Sequence, residues 1–519
     1  MKPRALVLPS LLLAAFVINL DILIVNVALP TFVKELHATN SELQWIVDGY
    51  NLLFAALLLA AGSLGDRFGR KGFLLSGLAV FGIASVAAGL TTSTGALIAA
   101  RCVMGVGAAM IFPATLSLIS NVFTDRVQRA KAIGLWGATA GMAIALGPIV
   151  GGWLLEHFSW PSIFYAMAPV AALAALLAAW SVPTSRDPNA HRKTDILGLV
   201  LSSAAVAALT YTVIEAPDHG WGSGRTVAGY LIAAALFAVF VLRERVADEP
   251  MLDVSLFKNL RFTAASGSVT VVFFGLSGFS FLMTQYFQFF RGYSPLSTGV
   301  HLLPVALSVG VMSVVGTKLA VNFGTKQIVT GGLFLLTIFF FWVATISPDT
   351  SYLEIAGQMI LGGSGVGLVS APATEAIMGV VPRAKAGVGS AVNDATRLLG
   401  STLGVAVIGS VYASIYRDHV AHRLPATLSG QSADAARDSV GGALTLAANS
   451  IQHGNAVWGS AVHAAASSSF FDGFNVAIIL VAILSGVGGL MTLWLLPAQP
   501  LQSAGSEAGD VPVLALEAQ

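Results

Sequence analysis

The chain has 519 residues, 55% of them hydrophobic and only 10% charged, with a mean hydropathy of +0.79. Soluble domains carry about 25% charged residues, so the composition excludes a soluble protein and specifies an integral membrane one. A net charge of +1 argues neither for nor against a charged partner, and the single cysteine, Cys102, excludes an internal disulfide, a cysteine zinc cluster and a redox pair.

Hydrocarbon thickness asks for about 20 apolar residues per helix, and on that measure about fourteen spans are predicted. They cover 6–30, 43–64, 73–90, 95–122, 132–155, 160–182, 196–214, 226–242, 262–290, 298–319, 327–346, 352–380, 387–415 and 473–496. The first could pass for a signal peptide, but it is too long, contains Asp21, and is followed by further spans. With the N-terminus inside, the inner side collects the basic residues around 67–71, 126–131, 186–193, 243–245, 258–261 and 383–385. The outer side keeps only Lys34, Arg225, Arg291, Arg417, Arg423 and Arg437. The imbalance places both termini in the cytoplasm. The longest connection, 416–469, lies outside and is either functional or flexible; the tail 498–519 reads as disordered.

Between the second and third spans lies a short polar knot containing Gly62, Asp66, Arg67, Gly69, Arg70 and Lys71. Glycines let two helix ends turn tightly, and Asp66 and Arg70 stand four apart, close enough to pair. Read as G-x-L-x-D-R-x-G-R-K, the knot resembles the signature loop between helices two and three of the major facilitator superfamily of transporters. In that family the loop takes part in conformational gating, which the resemblance implies here.

An internal repeat runs through the chain. Pro113-Ala114-Thr115 recurs as Pro372-Ala373-Thr374, an offset of 372 − 113 = 259, and Arg129-Ala-Lys-Ala132 recurs as Arg383-Ala-Lys-Ala386, an offset of 383 − 129 = 254. Gly62, Phe68, Gly69 and Lys71 have a worn echo in Gly316, Phe323, Gly324 and Lys326, with Val321 in place of Asp66. Six spans occupy about 180 residues, so the excess in the offset marks an insertion. The expected organisation is an N-terminal six-helix half (1–182), an inserted helix pair (183–260) and a C-terminal six-helix half (261–497). Parallel halves of this kind form a substrate site between them near the midplane. The inserted pair has no counterpart in the repeat and is expected outside the two-half core.

Charged residues inside spans are costly and mark pathways or partners. Asp21 in span one and Arg101 in span four both lie roughly 10–14 Å below the outer ends of their helices at 1.5 Å per residue. They could meet, and a step that parts them would free the carboxylate to take a proton. The plainer reading is a structural carboxylate satisfied by its neighbours. The Asp21 segment resembles the first-helix motif of drug:proton antiporters with fourteen helices, and the Arg101 segment the superfamily's fourth-helix motif. That likeness implies proton coupling by Asp21 and Arg101. Met104 stands where the family pattern has glutamine.

Asp48, in a segment ending Tyr50-Asn51, resembles the quaternary-ammonium efflux branch; it reads either as a wetted carboxylate or as a group handling substrate or protons. Gly141, Gly147, Pro148, Gly151 and Gly152 match the fifth-helix motif characteristic of antiporters, with small residues for close packing and a proline bend. Glu375 replaces Leu116 of the repeat and has no visible partner, which makes it a cation-site candidate. Asp394 and Arg397 stand three apart and are expected to neutralise each other. The aromatic residues of 273–290, Phe281 and Tyr286 among them, either line a cation- or ring-binding cavity or face lipid and neighbouring helices.

No phosphate-binding loop of the G-x-x-x-x-G-K-[ST] kind occurs, and nothing suggests a metal site, a cofactor, an enzymatic nucleophile or nucleic-acid binding. The chain is therefore read as an all-α integral membrane protein of the major facilitator fold, two six-helix halves plus two inserted helices. By resemblance it is a monomeric, proton-coupled antiporter of the inner (plasma) membrane. It would export amphipathic, cationic compounds, with Asp48, Glu375, Asn51, Phe281 and Tyr286 as substrate-binding candidates. Two rivals stand beside this reading: an exporter of an endogenous metabolite or lipid, and a non-transporting membrane sensor.

Overall fold

Long apolar runs punctuated by glycine, proline and short polar caps dictate helices, because a segment in hydrocarbon must satisfy its backbone internally. The computed structural model of the chain describes residues 6–123, 126–184, 195–247, 254–380, 386–425, 428, 430–453 and 455–497. Among these, every regular element is helical. The N-terminal half holds α1 (Val7–Leu36), α2 (Asn40–Phe68), α3 (Arg70–Gly89), α4 (Thr94–Val122), α5 (Arg126–His157), α6 (Ser162–Tyr165) and α7 (Met167–Ser181). Next come α8 (Ile196–His219) and α9 (Gly224–Val246). The C-terminal half holds α10 (Leu260–Gln285) with a π turn at Tyr286–Phe290, α11 (Pro295–His301), α12 (Leu303–Phe323), α13 (Thr325–Val343), α14 (Tyr352–Val380) and α15 (Ala386–Arg423). It closes with α16 (Gln431–Asp438), α17 (Val440–Gln452) and α18 (Ala456–Leu495).

Local chemistry explains the breaks. Thr39 and Glu42 form a reciprocal capping box at the start of α2, with the Glu42 amide donating to Thr39 Oγ1 at 3.2 Å and the Thr39 amide to Glu42 Oε2 at 2.9 Å. Gly69 ends α2 and starts α3 at φ 110°, and Gly324 does the same between α12 and α13 at φ 91°. Those two residues are partners in the sequence repeat, and side chains rarely adopt that backbone conformation. The repeat returns in packing. Gly107 sits on the backbone of Phe81 and Gly77 where α4 crosses α3, and Gly365 sits on Leu336 and Gly332 where α14 crosses α13.

Among the described residues, twelve helical segments are long and apolar enough to cross a membrane. Helices α2 and α5, which carry the expected 43–64 and 132–155 spans, are not among the twelve, although they run 29 and 32 residues. Both helices include positions outside the described residues, so neither offers its whole apolar stretch as one described run. The connection 416–469 is largely helical: α15 runs on to Arg423, α18 starts at Ala456, and α16 and α17 lie between. Alanine is the strongest helix former, and Ser439 and Asn455 cap α17 and α18. Calls on 1–5, 185–194, 381–385 and 498–519 lie outside the described residues.

Each half packs on itself, α1 with α5 and α7, α2 and α3 with α4, and on the other side α12 and α13 with α14, α10 with α15 and α18. The halves meet where α2 lies on α15, α5 on α11 and α1 on α10. The polar and glycine contacts that join them cluster at the Thr39 end of α2, away from the Gly69 turn. Ser410 Oγ donates to Gln44 Oε1 at 3.1 Å, and Gln288 Nε2 donates to the Val27 carbonyl at 2.8 Å. At the same end α17 lies over the seam, its Gly441 wedged between Val33 of α1 and Phe289. Helix α8 rests on both α2 and α15, with α9 outside it.

Candidate functional site

Two carboxylates of the N-terminal half lie buried within a few turns of each other and are treated oppositely by their surroundings. Asp21 of α1 and Arg101 of α4 are each 1% exposed. Arg101 Nη1 reaches Asp21 Oδ2 at 2.5 Å, and Arg101 Nε donates to the Ile46 carbonyl of α2 at 3.1 Å. Its guanidinium also lies 4.3 Å from the centre of the Tyr50 ring, a cation–π contact that strengthens where water is absent. One arginine thus ties three helices together, and the pair is held by charge, hydrogen bond and ring at once.

The helices approach closely enough for this because α4 carries glycine where α2 crosses it. A Cβ on Gly105 would run into the Tyr50 carbonyl, and one on Gly49 would meet Cys102 Sγ at 3.1 Å. Met104, the departure from the family pattern, is fully buried packing. Asp48 has no such support. It is 0% exposed, and neither carboxylate oxygen has a hydrogen-bond partner among the described residues. Asn51, one turn further, is 2% exposed with its Oδ1 likewise unbonded. Buried polar groups are nearly always bonded, so this stretch of α2 stands out as incomplete.

The other singled-out residues fall elsewhere. Glu375 is exposed on α14, toward the Val380 end and so far from Asp48 along the bundle; the two do not share one site. Asp394 and Arg397 form no ion pair among the described residues. Arg397 Nη2 instead donates to Thr374 Oγ1 at 3.0 Å and lies over Phe273 at 5.2 Å, while Asn393 Nδ2 reaches Asp394 Oδ1 at 3.3 Å. The two charges still act on each other electrostatically, as expected of residues three apart, while the guanidinium's hydrogen bond goes to Thr374 of the adjacent helix. Phe281 and Tyr286 are fully buried in the C-terminal half, the Tyr286 hydroxyl donating to the Ser347 carbonyl at 3.0 Å.

The fifth-helix motif is a packing device with two faces. Gly147 sits on Leu23 and Gly151 on Ile24 of α1, whereas Gly152 sits on the Leu296 backbone of α11 and the Pro148 carbonyl on Gly299. That second face is a junction between the halves. In the α2–α3 turn, Lys71 Nζ donates to the Ala179 and Val182 carbonyls at 2.7 and 2.8 Å, binding the C-terminus of α7 as a cation should. Gly62 faces Pro113 at 3.8 Å. The side chains of Asp66 and Arg67 and the surroundings of Gly141 lie outside the described residues. Sequence reasoning missed Gln44, Gln288 and Thr374; a polar residue in an apolar span was the available signal for each.

The described residues form an all-helical bundle, twelve of whose segments are long and apolar enough to cross a membrane, with an ion pair sealed inside it. The family model described as Major Facilitator Superfamily matches residues 11–405, and the chain belongs to that superfamily. It is 37% identical over 402 residues to the multidrug resistance protein Stp of Mycobacterium tuberculosis (strain CDC 1551 / Oshkosh), covering 78% of this chain and 74% of the relative. It is 35% identical over 444 residues to the multidrug efflux pump LfrA of Mycolicibacterium smegmatis, covering 86% of each. With the methyl viologen resistance protein SmvA of Salmonella typhimurium it shares 33% over 467 residues, 88% of this chain and 92% of the relative. Among solved structures, a bacterial homologue of the human lysosomal transporter Spinster, crystallised inward-facing and unoccupied, aligns with a TM-score of 0.67 at 16% identity, over 96% and 98% of the two chains.

Proposed function

We propose that the protein exports amphipathic, cationic drugs or toxic compounds across the plasma membrane in exchange for protons, by alternating access and without covalent chemistry. The observation that carries this is the sealed Asp21–Arg101 pair. A carboxylate held only by one arginine can change partners, taking a proton when a conformational step or bound substrate withdraws the guanidinium. The names of the multidrug efflux relatives support the export direction. Each charge that crosses is worth about 2.3 kcal/mol per 100 mV, enough to drive accumulation against a gradient.

On this reading fourteen spans cross the membrane, α2 and α5 among them, because both are packed between spanning helices. The organisation is 1–182, the inserted pair 183–260, and 261–497, with both termini and the Gly69 turn cytoplasmic and the protein working as a monomer. The joined Thr39 end is then the outer gate, shut, and the site opens inward. Asp48, Asn51 and Glu375 handle cationic substrate, Asp48 from within the bundle and Glu375 near the cytoplasmic mouth. The test is uptake of a cationic dye into inverted vesicles energised with a pH gradient. Uptake should vanish with a proton ionophore and in Asp21→Asn; full uptake in that variant sinks the coupling role.

A further inference from the structure

Helix α8 touches both halves of the bundle, and its two contacts differ in kind. Toward α15 it is held by charge and hydrogen bonds. Arg417 of α15 donates from Nη1 to Asp218, in the last turn of α8, and from Nη2 to Asp438 of α16 at 2.5 Å. Trp221, in the turn between α8 and α9, donates its Nε1 to Ser414 Oγ at 3.3 Å. Further along α8, Val213 and Ile214 pack on Ala406. The anchors at 406, 414 and 417 spread over about three turns of one helix.

Toward α2 the contact is apolar and parts with depth. Trp45 of α2 meets the same cluster and lies beside the Tyr211 ring, centroids 6.2 Å apart. Beyond it, toward the Phe68 end of α2, the helices separate around an open recess of ≈ 410 Å³. Its walls are Leu52, Leu53 and Leu57 of α2 and, across from them, Val200, Ala204 and Ala207 of α8. Val200 is 54% exposed, so the recess opens on the outer surface of the bundle. Lipid is as apolar as leucine, so two apolar faces in hydrocarbon gain little by staying together. The Arg417 pairs are about a third exposed and each is modest alone. Moving α8 off α15, however, breaks the Asp218 pair, the Trp221 bond and the Ala406 packing together.

We propose that Arg417 is a positioning residue that makes the inserted pair part of the C-terminal body. Helices α8 and α9 then travel with α15, and the surface that slips during the cycle lies between α2 and α8. The proposal rests on the alternating-access reading above and says which helices move as one. Gln44, next to Trp45, accepts the Ser410 hydrogen bond from α15, so one turn of α2 faces α15 and α8 along a single seam. The recess lies on the side of that turn where, on the same reading, the halves are open. That is where a helix carried by α15 draws away from α2. Helix α9 follows α8 because Gly229 seats it on Thr212, whose side chain leaves no room for a Cβ.

The test uses the full chain with its one cysteine removed, Cys102→Ser, as parent. Trp221→Cys with Ser414→Cys places a pair across α8 and α15, and Trp45→Cys with Tyr211→Cys a pair across α2 and α8. A short, membrane-permeant methanethiosulfonate cross-linker joins each pair, and uptake of a cationic dye is measured in inverted vesicles against the same variant left unlinked. The 221–414 link should leave uptake near the unlinked rate. The 45–211 link should cut it by about tenfold or more, and reductant should restore it, which reports an intact fold. Loss confined to the 221–414 link, equal loss from both, or loss from neither would overturn the proposal. A second measurement needs no transport: spin labels at the exposed positions Leu231 of α9, Leu353 of α14 and Ile83 of α3. The 231–353 distance should stay narrow while the 231–83 distance shifts with pH. Arg417→Gln should broaden 231–353 with little change in melting temperature, and Arg417→Lys should largely restore it; a 231–353 distance unmoved by Arg417→Gln would overturn the clamp. Should the parent take up no dye, the export reading falls, and that last comparison still decides whether Arg417 joins the pair to the C-terminal half.

Discussion

Asp21 and Asp48 are both sealed carboxylates on neighbouring helices, yet the first is held by Arg101 and the second by nothing. The difference follows from what faces them. Asp21 looks into its own half, where α4 brings a cation whose other contacts fix it to α2. Near Asp48 on α2, Trp45 packs against α8 and α15, elements that follow the first seven helices in the chain. Asp21 thus has its counter-charge within its own bundle of helices, whereas Asp48 makes no hydrogen bond among the described residues.

The comparison is broken most severely at Arg101. Arg101→Ala leaves Asp21 buried and alone, which costs about 3–5 kcal/mol, so thermal stability should fall and proton-driven export should be lost together. Asp21→Asn keeps the shape and an oxygen for Arg101 to donate to but removes the counter-charge, so export should stop while the melting temperature falls by less than in Arg101→Ala; an equal or larger drop would make the pair chiefly structural. Third in size is Gly105→Ala. Its Cβ meets the Tyr50 carbonyl, and the strain, about 1–3 kcal/mol, should displace Tyr50 and slow export without abolishing it, read as a lower rate at saturating dye.

Smaller effects sharpen the other member. Asp48→Asn should weaken export of cations and spare a neutral or zwitterionic substrate, with little loss of stability, since no bond is broken. Equal loss across both charge classes would assign Asp48 to coupling or folding. Glu375→Gln should show the same preference more weakly, because an exposed charge is screened by water and salt. The effect should exceed noise only for divalent cations at low ionic strength, measured as initial rates in vesicles.

Much of this was legible in the chain. The repeat pairs Gly69 with Gly324, and both carry the positive φ of the same helix–turn–helix joint. Intramembrane charge singled out Asp21 and Arg101, and equal depth below the membrane surface suggested they could meet. Less legible was the hydrogen-bond partner of Arg397, which is Thr374, twenty-three positions away, although its charge still faces that of Asp394. The stretch after Arg423 read as a loop because its polar residues hide how strongly its alanines favour helix.

Helix positions, their order and the charges inside spans follow from composition and short-range pattern, because hydrocarbon leaves the backbone no other solution. What the tertiary structure alone decided is which side chains are satisfied. The Ser410–Gln44 bond spans 366 positions and the Gln288–Val27 bond 261, and neither residue type announces its partner. The recess between α2 and α8 belongs to the same class. It exists only because two helices separated by most of the N-terminal half cross without filling the space between them, and a sum over distant contacts of that kind is not written in any local stretch of the chain.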